Sequence, residues 1–176
     1  DEKITSLTAN DVLGDGTVCY DALTKTLTLN NADIDGTQST TTVLRADNLE
    51  LKVVLIGENK ITSTTNRPVY FGSGDYTIQG TENDSLIIET YSDGLQVDGG
   101  NLTIDGCNID ITSYKYGGML CLGVYNTGEF GILTIQNGAN ISIDSYENTL
   151  MGENGLVIMD STVNAIARSN YPDWST

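Results

Sequence analysis

Short runs of alternating apolar and small polar residues recur along the whole chain. Examples are Thr26-Leu27-Thr28-Leu29, Leu102-Thr103-Ile104 and Asn140-Ile141-Ser142-Ile143. A period of two residues is typical of a β-strand with one buried face. Thr, Ile and Val also suit a pleated surface. Turn residues such as Ser92-Asp93-Gly94 separate the runs. The pattern therefore predicts an all-β chain.

Apolar residues also recur at a longer interval of about 25 residues, which is the signature of a repeat architecture. Three sets of positions share this interval. They are Leu29, Leu55, Ile78, Ile104, Ile135 and Ile158; Ile34, Ile61, Ile88, Ile111, Ile143 and Ala165; and Val43, Val69, Leu95, Leu120 and Leu150. Three apolar positions per repeat predict a coil with three faces. Stacked coils would bury these residues in columns, with equivalent strands parallel and about 4.8 Å apart.

We therefore predict a three-faced parallel β-helix of about six coils. The alternative is a β-sandwich, because a strand–glycine–strand unit can equally form an antiparallel hairpin; the regular third position favours the solenoid. Residues 1–22 fit the repeat poorly and are assigned to an N-terminal cap, since a solenoid must cover its unpaired edge. Residues 23–170 form the single β-helix domain, and residues 171–176 form a C-terminal tail.

The charge of the chain excludes several kinds of partner. Among 176 residues, 24 are acidic and 8 are basic, which gives a net charge of −16. Such a chain is a poor partner for nucleic acid or for an anionic membrane surface. It has no run of about 18 apolar residues, so no membrane insertion is expected. Histidine is absent, which removes Ser-His-Asp catalysis and His-ligated metal sites.

The three cysteines, Cys19, Cys107 and Cys121, are widely spaced and form no CxxC pair. This pattern is not a disulfide framework. The favoured interpretation is that they are buried small apolar residues. A Cys107–Cys121 bridge is the alternative, and it requires backbones about 5.5 Å apart.

Two segments resemble the repeats of a known group of proteins. Residues 20–32 (YDALTKTLTLNNA) and 92–106 (SDGLQVDGGNLTIDG) resemble secreted bacterial right-handed parallel β-helix proteins of the carbohydrate-binding or adhesin-like type, within the pectate-lyase-like fold group. The resemblance covers roughly residues 20–166. It implies a bacterial cell-surface or extracellular protein, with its signal peptide removed, and a polysaccharide or host glycan as partner. It brings no catalytic motif that can be carried over.

The longest steps between repeats, 30 to 32 residues, fall in the fourth coil. Insertions on a solenoid usually mark its binding face. This insertion contains Tyr114, Tyr116 and Tyr125, with Tyr91 one coil before and Tyr146 one coil after. Tyrosine rings stack on the apolar faces of sugars, so these five residues are the candidate carbohydrate site. The alternative is that the rings simply cover corners of the coil.

No cofactor is predicted, and calcium is the alternative, because carboxylates in glycine-containing turns are hard oxygen ligands. Asp15, Asp93 and Asp98 are the candidate metal ligands. The alternative is that they are solvated acidic turns, since none belongs to a known calcium-binding repeat.

The predicted function is a non-catalytic cell-surface module that binds carbohydrate or acts in adhesion through its tyrosine-rich face. One alternative is a polysaccharide lyase or glycoside hydrolase of the β-helix type, although the basic residues that a lyase needs are expected to scatter over different coils and faces. The other is the structural stalk of an adhesin, with a surface protein as partner.

Overall fold

The computed structural model describes residues 5, 7–47, 49–122 and 131–168. Within these ranges the chain consists of strands and turns without any helix, so none is long and apolar enough to span a membrane. The strands wind through five coils, and each coil contributes one strand to each of three sheets.

Strand β1 (Val18–Asp21) precedes the coils, and the remaining strands follow in chain order. Coil 1 contains β2 (Thr26–Asn30), β3 (Asp33–Asp35) and β4 (Leu44–Ala46); coil 2 contains β5 (Leu51–Ile56), β6 (Glu58–Ser63) and β7 (Val69–Phe71); coil 3 contains β8 (Gly74–Gln79), β9 (Ser85–Thr90) and β10 (Leu95–Asp98). Coil 4 contains β11 (Gly100–Asp105), β12 (Asn108–Ser113) and β13 (Met119–Leu122); coil 5 contains β14 (Ile132–Gln136), β15 (Asn140–Ser145) and β16 (Leu150–Gly152). Strands β17 (Gly155–Ile158) and β18 (Thr162–Ala167) begin a further coil.

The sheets are built from equivalent strands of successive coils. Sheet A has the order β1-β2-β5-β8-β11-β14-β17, sheet B is β3-β6-β9-β12-β15-β18, and sheet C is β4-β7-β10-β13-β16. Every strand pair is parallel except β1 with β2. The predicted three-faced parallel β-solenoid is confirmed, and the antiparallel β-sandwich is excluded.

The predicted column that begins at Ile34 and ends at Ala165 is correct at every position. Successive register partners in sheet B are Ile34, Ile61, Ile88, Ile111, Ile143 and Ala165. The middle members of this column, Ile61, Ile88, Ile111 and Ile143, are almost completely buried. One coil cannot bury such side chains by itself, so stacking supplies the apolar contacts that hold this face together.

The first and third predicted columns need correction. In sheet A, Ile78 pairs with Val53 and not with Leu55, so that the column runs Leu27, Val53, Ile78. A shift of two residues keeps the same face buried, and alternation alone does not reveal it. In sheet C the inward column contains Leu44 and Met119 in place of Val43 and Leu120.

The two ends of the stack differ. At the first coil, β1 pairs antiparallel with β2, with Val18 opposite Leu29, and so covers the outer edge of sheet A. At the other end, Leu156 and Ile158 continue the inward columns of Leu133 and Ile135 but are about half exposed. The boundaries at residues 22 and 170 stay predictions, and the tail, residues 171–176, lies outside the described residues.

One glycine is required by the close approach of neighbouring coils. Gly100 is the register partner of Gly74 in sheet A. A Cβ atom at Gly100 would overlap the carbonyl oxygen of Gly74. Any larger residue at position 100 would therefore push coil 4 away from coil 3 at this corner.

The inward column of sheet B makes a direct prediction about stability. Replacement of Ile111 by Ala should lower the free energy of unfolding by about 2–5 kcal/mol, because Ile111 is fully buried between Ile88 and Ile143. Ile87→Ala, one residue from Ile88 on the outer face of the same sheet, should cost about 1 kcal/mol or less. Urea denaturation measures both values, and equal losses would contradict the inward stacking of Ile111.

Candidate functional site

Three of the five candidate tyrosines form one column on the outside of the solenoid. Tyr91, Tyr114 and Tyr146 directly follow β9, β12 and β15, at the corner where the chain leaves sheet B. Backbone hydrogen bonds continue the parallel register through these positions, from Tyr114 N to Thr90 O at 2.9 Å and from Tyr146 N to Ser113 O at 3.1 Å. All three side chains are about half exposed. We call this set the tyrosine column.

Buried hydroxyl groups fix the corner that carries the tyrosine column. Thr90, Ser113 and Ser145 each point inward one residue before a column tyrosine, and they are register partners of one another. The Ser113 hydroxyl donates to Ser92 O at 2.8 Å and accepts from Tyr116 N at 3.2 Å. Because these hydroxyls satisfy backbone groups of the turn, they hold the following tyrosine in a defined place.

The rings within the tyrosine column are not equivalent. The rings of Tyr91 and Tyr114 pack on each other, with centroids 5.0 Å apart and planes tilted by 36°. Each therefore covers part of a face of the other ring. Among the described residues, Tyr146 makes no such ring contact. The tyrosine column thus combines a packed pair of rings with a third ring that is exposed to a similar extent.

The remaining two candidate tyrosines do not join the tyrosine column. Tyr116 lies in the turn beyond Tyr114, with Lys115 Nζ 5.0 Å from its ring centroid. That cation lies over one face of the Tyr116 ring. Tyr125 lies outside the described residues, as do residues 123–130 of the insertion in general.

Ion pairs lie beside the tyrosine column on the outer face of sheet B. Glu89 and Asp144 each lie two residues before a column tyrosine, on the same outward side. Lys60 Nζ lies 3.1 Å from Glu89 Oε2, and this hydrogen bond raises the pKa of Lys60. Arg168 donates to Asp144 Oδ2. The second oxygen, Asp144 Oδ1, is buried without a hydrogen-bond partner.

The three candidate metal ligands already have protein partners. Asp15 accepts hydrogen bonds from the hydroxyl and amide of Thr17, which lower its pKa. Asp93 accepts from Gly117 N at 3.0 Å, and Asp98 accepts from Gln96 Nε2 at 2.7 Å. In the described part of the chain, no three His, Cys, Asp or Glu side chains converge in the way that a metal site needs.

A second polar group on the outside of sheet C was not predicted. Two guanidinium groups lie near the Tyr70 ring, with Arg45 Cζ at 5.4 Å and Arg67 Cζ at 5.5 Å from its centroid. Gln96 is the register partner of Tyr70 in the next coil. Burial, followed by the charge of Asp98, raises the pKa of Tyr70. We call Arg45, Arg67, Tyr70, Gln96 and Asp98, with the flanking carboxylates Asp47 and Asp93, the sheet C polar cluster.

This cluster brings together two of the eight basic residues that were expected to scatter over different coils and faces. Arg45 and Arg67 come from successive coils, yet both reach the same ring. The sequence did carry a signal for part of this arrangement, because Arg45, Tyr70 and Gln96 are spaced by 25 and 26 residues. The same repeat interval that aligns apolar residues inside also aligns these residues outside.

The prediction that the cysteines are buried small apolar residues is confirmed for Cys107 and wrong for Cys19. Cys107 is buried as a free thiol, with Sγ 3.8 Å from Ile78 O. Burial raises the pKa of Cys107 to about 12. Cys19 is also free but is exposed, because its side chain lies on the outer side of β1. The side chain of Cys121 lies outside the part of the chain that the structure describes.

Scans against protein-family models and searches of curated proteins and solved structures find no match to this chain.

The two described thiols should differ sharply in reactivity. Iodoacetamide at pH 8 should modify Cys19 in the folded protein and should modify Cys107 only after unfolding, because a buried thiol with a raised pKa forms little thiolate. Peptide mass spectrometry before and after denaturation measures both sites. Rapid labelling of Cys107 in the folded state would contradict its burial.

The acidic charge predicts a dependence of stability on cations. Both NaCl and millimolar CaCl₂ should raise the melting temperature, because either relieves repulsion among 24 carboxylates facing 8 basic groups. Comparison at matched ionic strength separates screening from bound calcium, since only specific binding gives an additional increase with CaCl₂. A melting temperature that is indifferent to both salts would show that the charges are already well dispersed.

Proposed function

We propose that this chain is a non-catalytic carbohydrate-binding module, and that the tyrosine column is its saccharide site. The observation that carries the proposal is the alignment of Tyr91, Tyr114 and Tyr146 on one exposed corner. An aromatic face offers apolar contact to the C–H groups of a sugar ring. The tyrosine column therefore suits a pyranose that lies against its rings.

The spacing of the column suits an extended chain of sugars better than a single one. Successive coils are about 4.8 Å apart, so the three tyrosines present a strip that spans two coil steps. The proposed partner is therefore a polysaccharide or host glycan that runs along the solenoid axis. The resemblance to secreted β-helix proteins supports a location outside the cell or at the bacterial surface.

Adhesion through a protein partner is a second use of the same architecture. The in-register columns of sheet B continue from coil 1 to β18, and uniform stacking of this kind builds a stiff spacer. A stalk would retain a surface protein and no glycan. Lyase or hydrolase activity is the third possibility, and it predicts shortened or unsaturated products.

Glycan-array binding of the wild-type protein, compared with a Tyr91→Ala/Tyr114→Ala/Tyr146→Ala variant, tests the saccharide site. The alanine variant should bind its preferred glycan at least tenfold more weakly, because each lost aromatic contact contributes about 1 kcal/mol. The matched variant with Phe at all three positions keeps the rings and should retain most of the binding. Circular dichroism confirms that both variants are folded.

Three results would count against this proposal. Unchanged binding in the alanine variant would remove the tyrosine column from the site. Retention of a surface protein, with no glycan retained, would favour the stalk. Reducing ends or unsaturated products released from plant or host glycans in the presence of Ca²⁺ would make the protein an enzyme.

A further inference from the structure

Two ion pairs lie along the side of the tyrosine column that faces sheet B. Lys60 Nζ lies 3.1 Å from Glu89 Oε2, and Arg168 donates to Asp144 Oδ2. Glu89 and Asp144 each precede a column tyrosine by two residues on the outward side of their strand. Because a strand advances about 3.3 Å per residue, each carboxylate stands about 7 Å along the strand from its tyrosine. We call these two contacts the flanking ion pairs.

Arg168 takes the same corner position as the column tyrosines, one level beyond Tyr146. Its backbone N donates to Ser145 O at 2.9 Å, which repeats the bond from Tyr146 N to Ser113 O one coil earlier. Arg168 therefore follows Tyr146 along the solenoid axis, and its side chain is exposed. A guanidinium group in this place suits the carboxylate of an acidic sugar, but here it is already bound to Asp144.

Both cations of the flanking ion pairs lie near the middle ring of the column. The hydrogen bond to Glu89 raises the pKa of Lys60, and the charge of Tyr114 adds a smaller contribution. The hydrogen bond to Asp144 raises the pKa of Arg168, again with a contribution from Tyr114. Lys60 belongs to coil 2 and Arg168 follows β18, so the two cations approach Tyr114 from opposite ends of the column.

The charges around the tyrosine column balance. Charged residues that lie within two positions of a column tyrosine, together with their ion-pair partners, comprise four carboxylates and four cations. They are Glu89, Asp93, Asp144 and Glu147, and Lys60, Arg67, Lys115 and Arg168. Three of these cations face a carboxylate, and the fourth, Lys115, lies over the Tyr116 ring at 5.0 Å from its centroid.

This arrangement offers little to an acidic sugar. A glycan carboxylate or sulfate would have to separate a flanking ion pair before it could bind the cation, while the whole chain, at −16, repels it. An uncharged sugar needs no such exchange. Its C–H groups pack on the tyrosine rings, and its hydroxyls can donate to the carboxylates or accept from the cations without separating them.

We infer that the tyrosine column selects uncharged glycans and discriminates against sialylated, sulfated or uronate-containing ones, because the flanking ion pairs occupy the cations that would receive an acidic group. The inference rests on the proposed function, since it names the class of glycan that the same site takes. It makes Glu89 and Asp144 the specificity-determining residues of the column.

The test uses a glycan array with matched neutral and acidic members, probed with the full chain at about 0.15 M NaCl. The pairs are galactose-terminated host glycans with and without terminal sialic acid, and oligogalacturonates as the methyl ester and as the free acid. Oligomers of glucose, xylose and mannose add further neutral probes. The retained glycans should be uncharged, and the acidic member of a retained pair should bind about fivefold more weakly or less, the scale of one exposed charge interaction.

A variant that frees the two cations should relax this selection. Glu89→Gln/Asp144→Asn keeps the size of both side chains but removes the negative partners of Lys60 and Arg168. The ratio of acidic to neutral affinity should rise about fivefold. Circular dichroism checks that the variant is folded. Glu89→Gln alone, which breaks only the exposed pair with Lys60, should change the ratio in the same direction.

The matched control makes the same two kinds of substitution away from sheet B. Glu50→Gln/Asp47→Asn frees one lysine and one arginine, Lys25 and Arg45, and changes the net charge by the same amount. Its ratio of acidic to neutral affinity should stay at the wild-type value. An equal rise in both double variants would show that net charge alone sets the preference, and would overturn the role of the flanking ion pairs.

The remaining outcomes separate this inference from the proposed function. If acidic glycans bind as tightly as their neutral counterparts, and the tyrosine-to-alanine variant loses both, the carbohydrate function stands and the selection for uncharged glycans is wrong. If the tyrosine-to-alanine variant keeps its binding, the tyrosine column is not the site and the inference fails with it. If no glycan is retained at all, the proposed function itself is wrong.

Discussion

The structure depends on the stacking of equivalent apolar side chains from successive coils. A single coil exposes its inward Ile and Leu residues at both of its edges, and only a neighbouring coil can cover them. The column Ile61, Ile88, Ile111 and Ile143 shows the result, because each of these residues is almost completely buried. Parallel strand pairing then fixes the distance between coils at about 4.8 Å.

This stacking also determines what the outer surface can do. Residues at equivalent positions of the repeat are placed one above another whether they face inward or outward. The inward hydroxyls of Thr90, Ser113 and Ser145 satisfy the backbone at one corner, and the next residue at each level is an exposed tyrosine. A surface strip that recognises an extended glycan thus arises from the same register that builds the core.

Much of the fold could be predicted from sequence, because apolar periodicity records burial directly. The sheet B column from Ile34 to Ala165 was correct throughout. The error at Leu55 arose because a shift of two residues preserves alternation, and only the real corner length distinguishes Val53 from Leu55. In the short strands of sheet C, two neighbouring residues are apolar but only one of them belongs to the inward column. The sequence pattern does not decide between Met119 and Leu120.

The candidate site was only partly predictable. Aligned tyrosines follow from the repeat interval, and Tyr91, Tyr114 and Tyr146 share one column. The sheet C polar cluster was not predicted, because apolar periodicity does not show which outward polar side chains of successive coils contact one another. The ion pair of Arg67 with Asp93 follows the same interval, since the two residues are 26 positions apart and each lies two residues before a register partner of sheet C, Val69 or Leu95.

The most direct test of the account is a methyl NOESY spectrum of protein with labelled isoleucine δ1-methyl groups. In-register parallel stacking predicts cross peaks between Ile88 and Ile111 and between Ile111 and Ile143, because these pairs are register partners in adjacent coils. The Ile88–Ile143 peak should be weak or absent, since two coil steps separate these residues. Loss of the first two cross peaks, or α-proton contacts typical of antiparallel pairing across sheet B, would contradict the stacked architecture and the surface columns that depend on it.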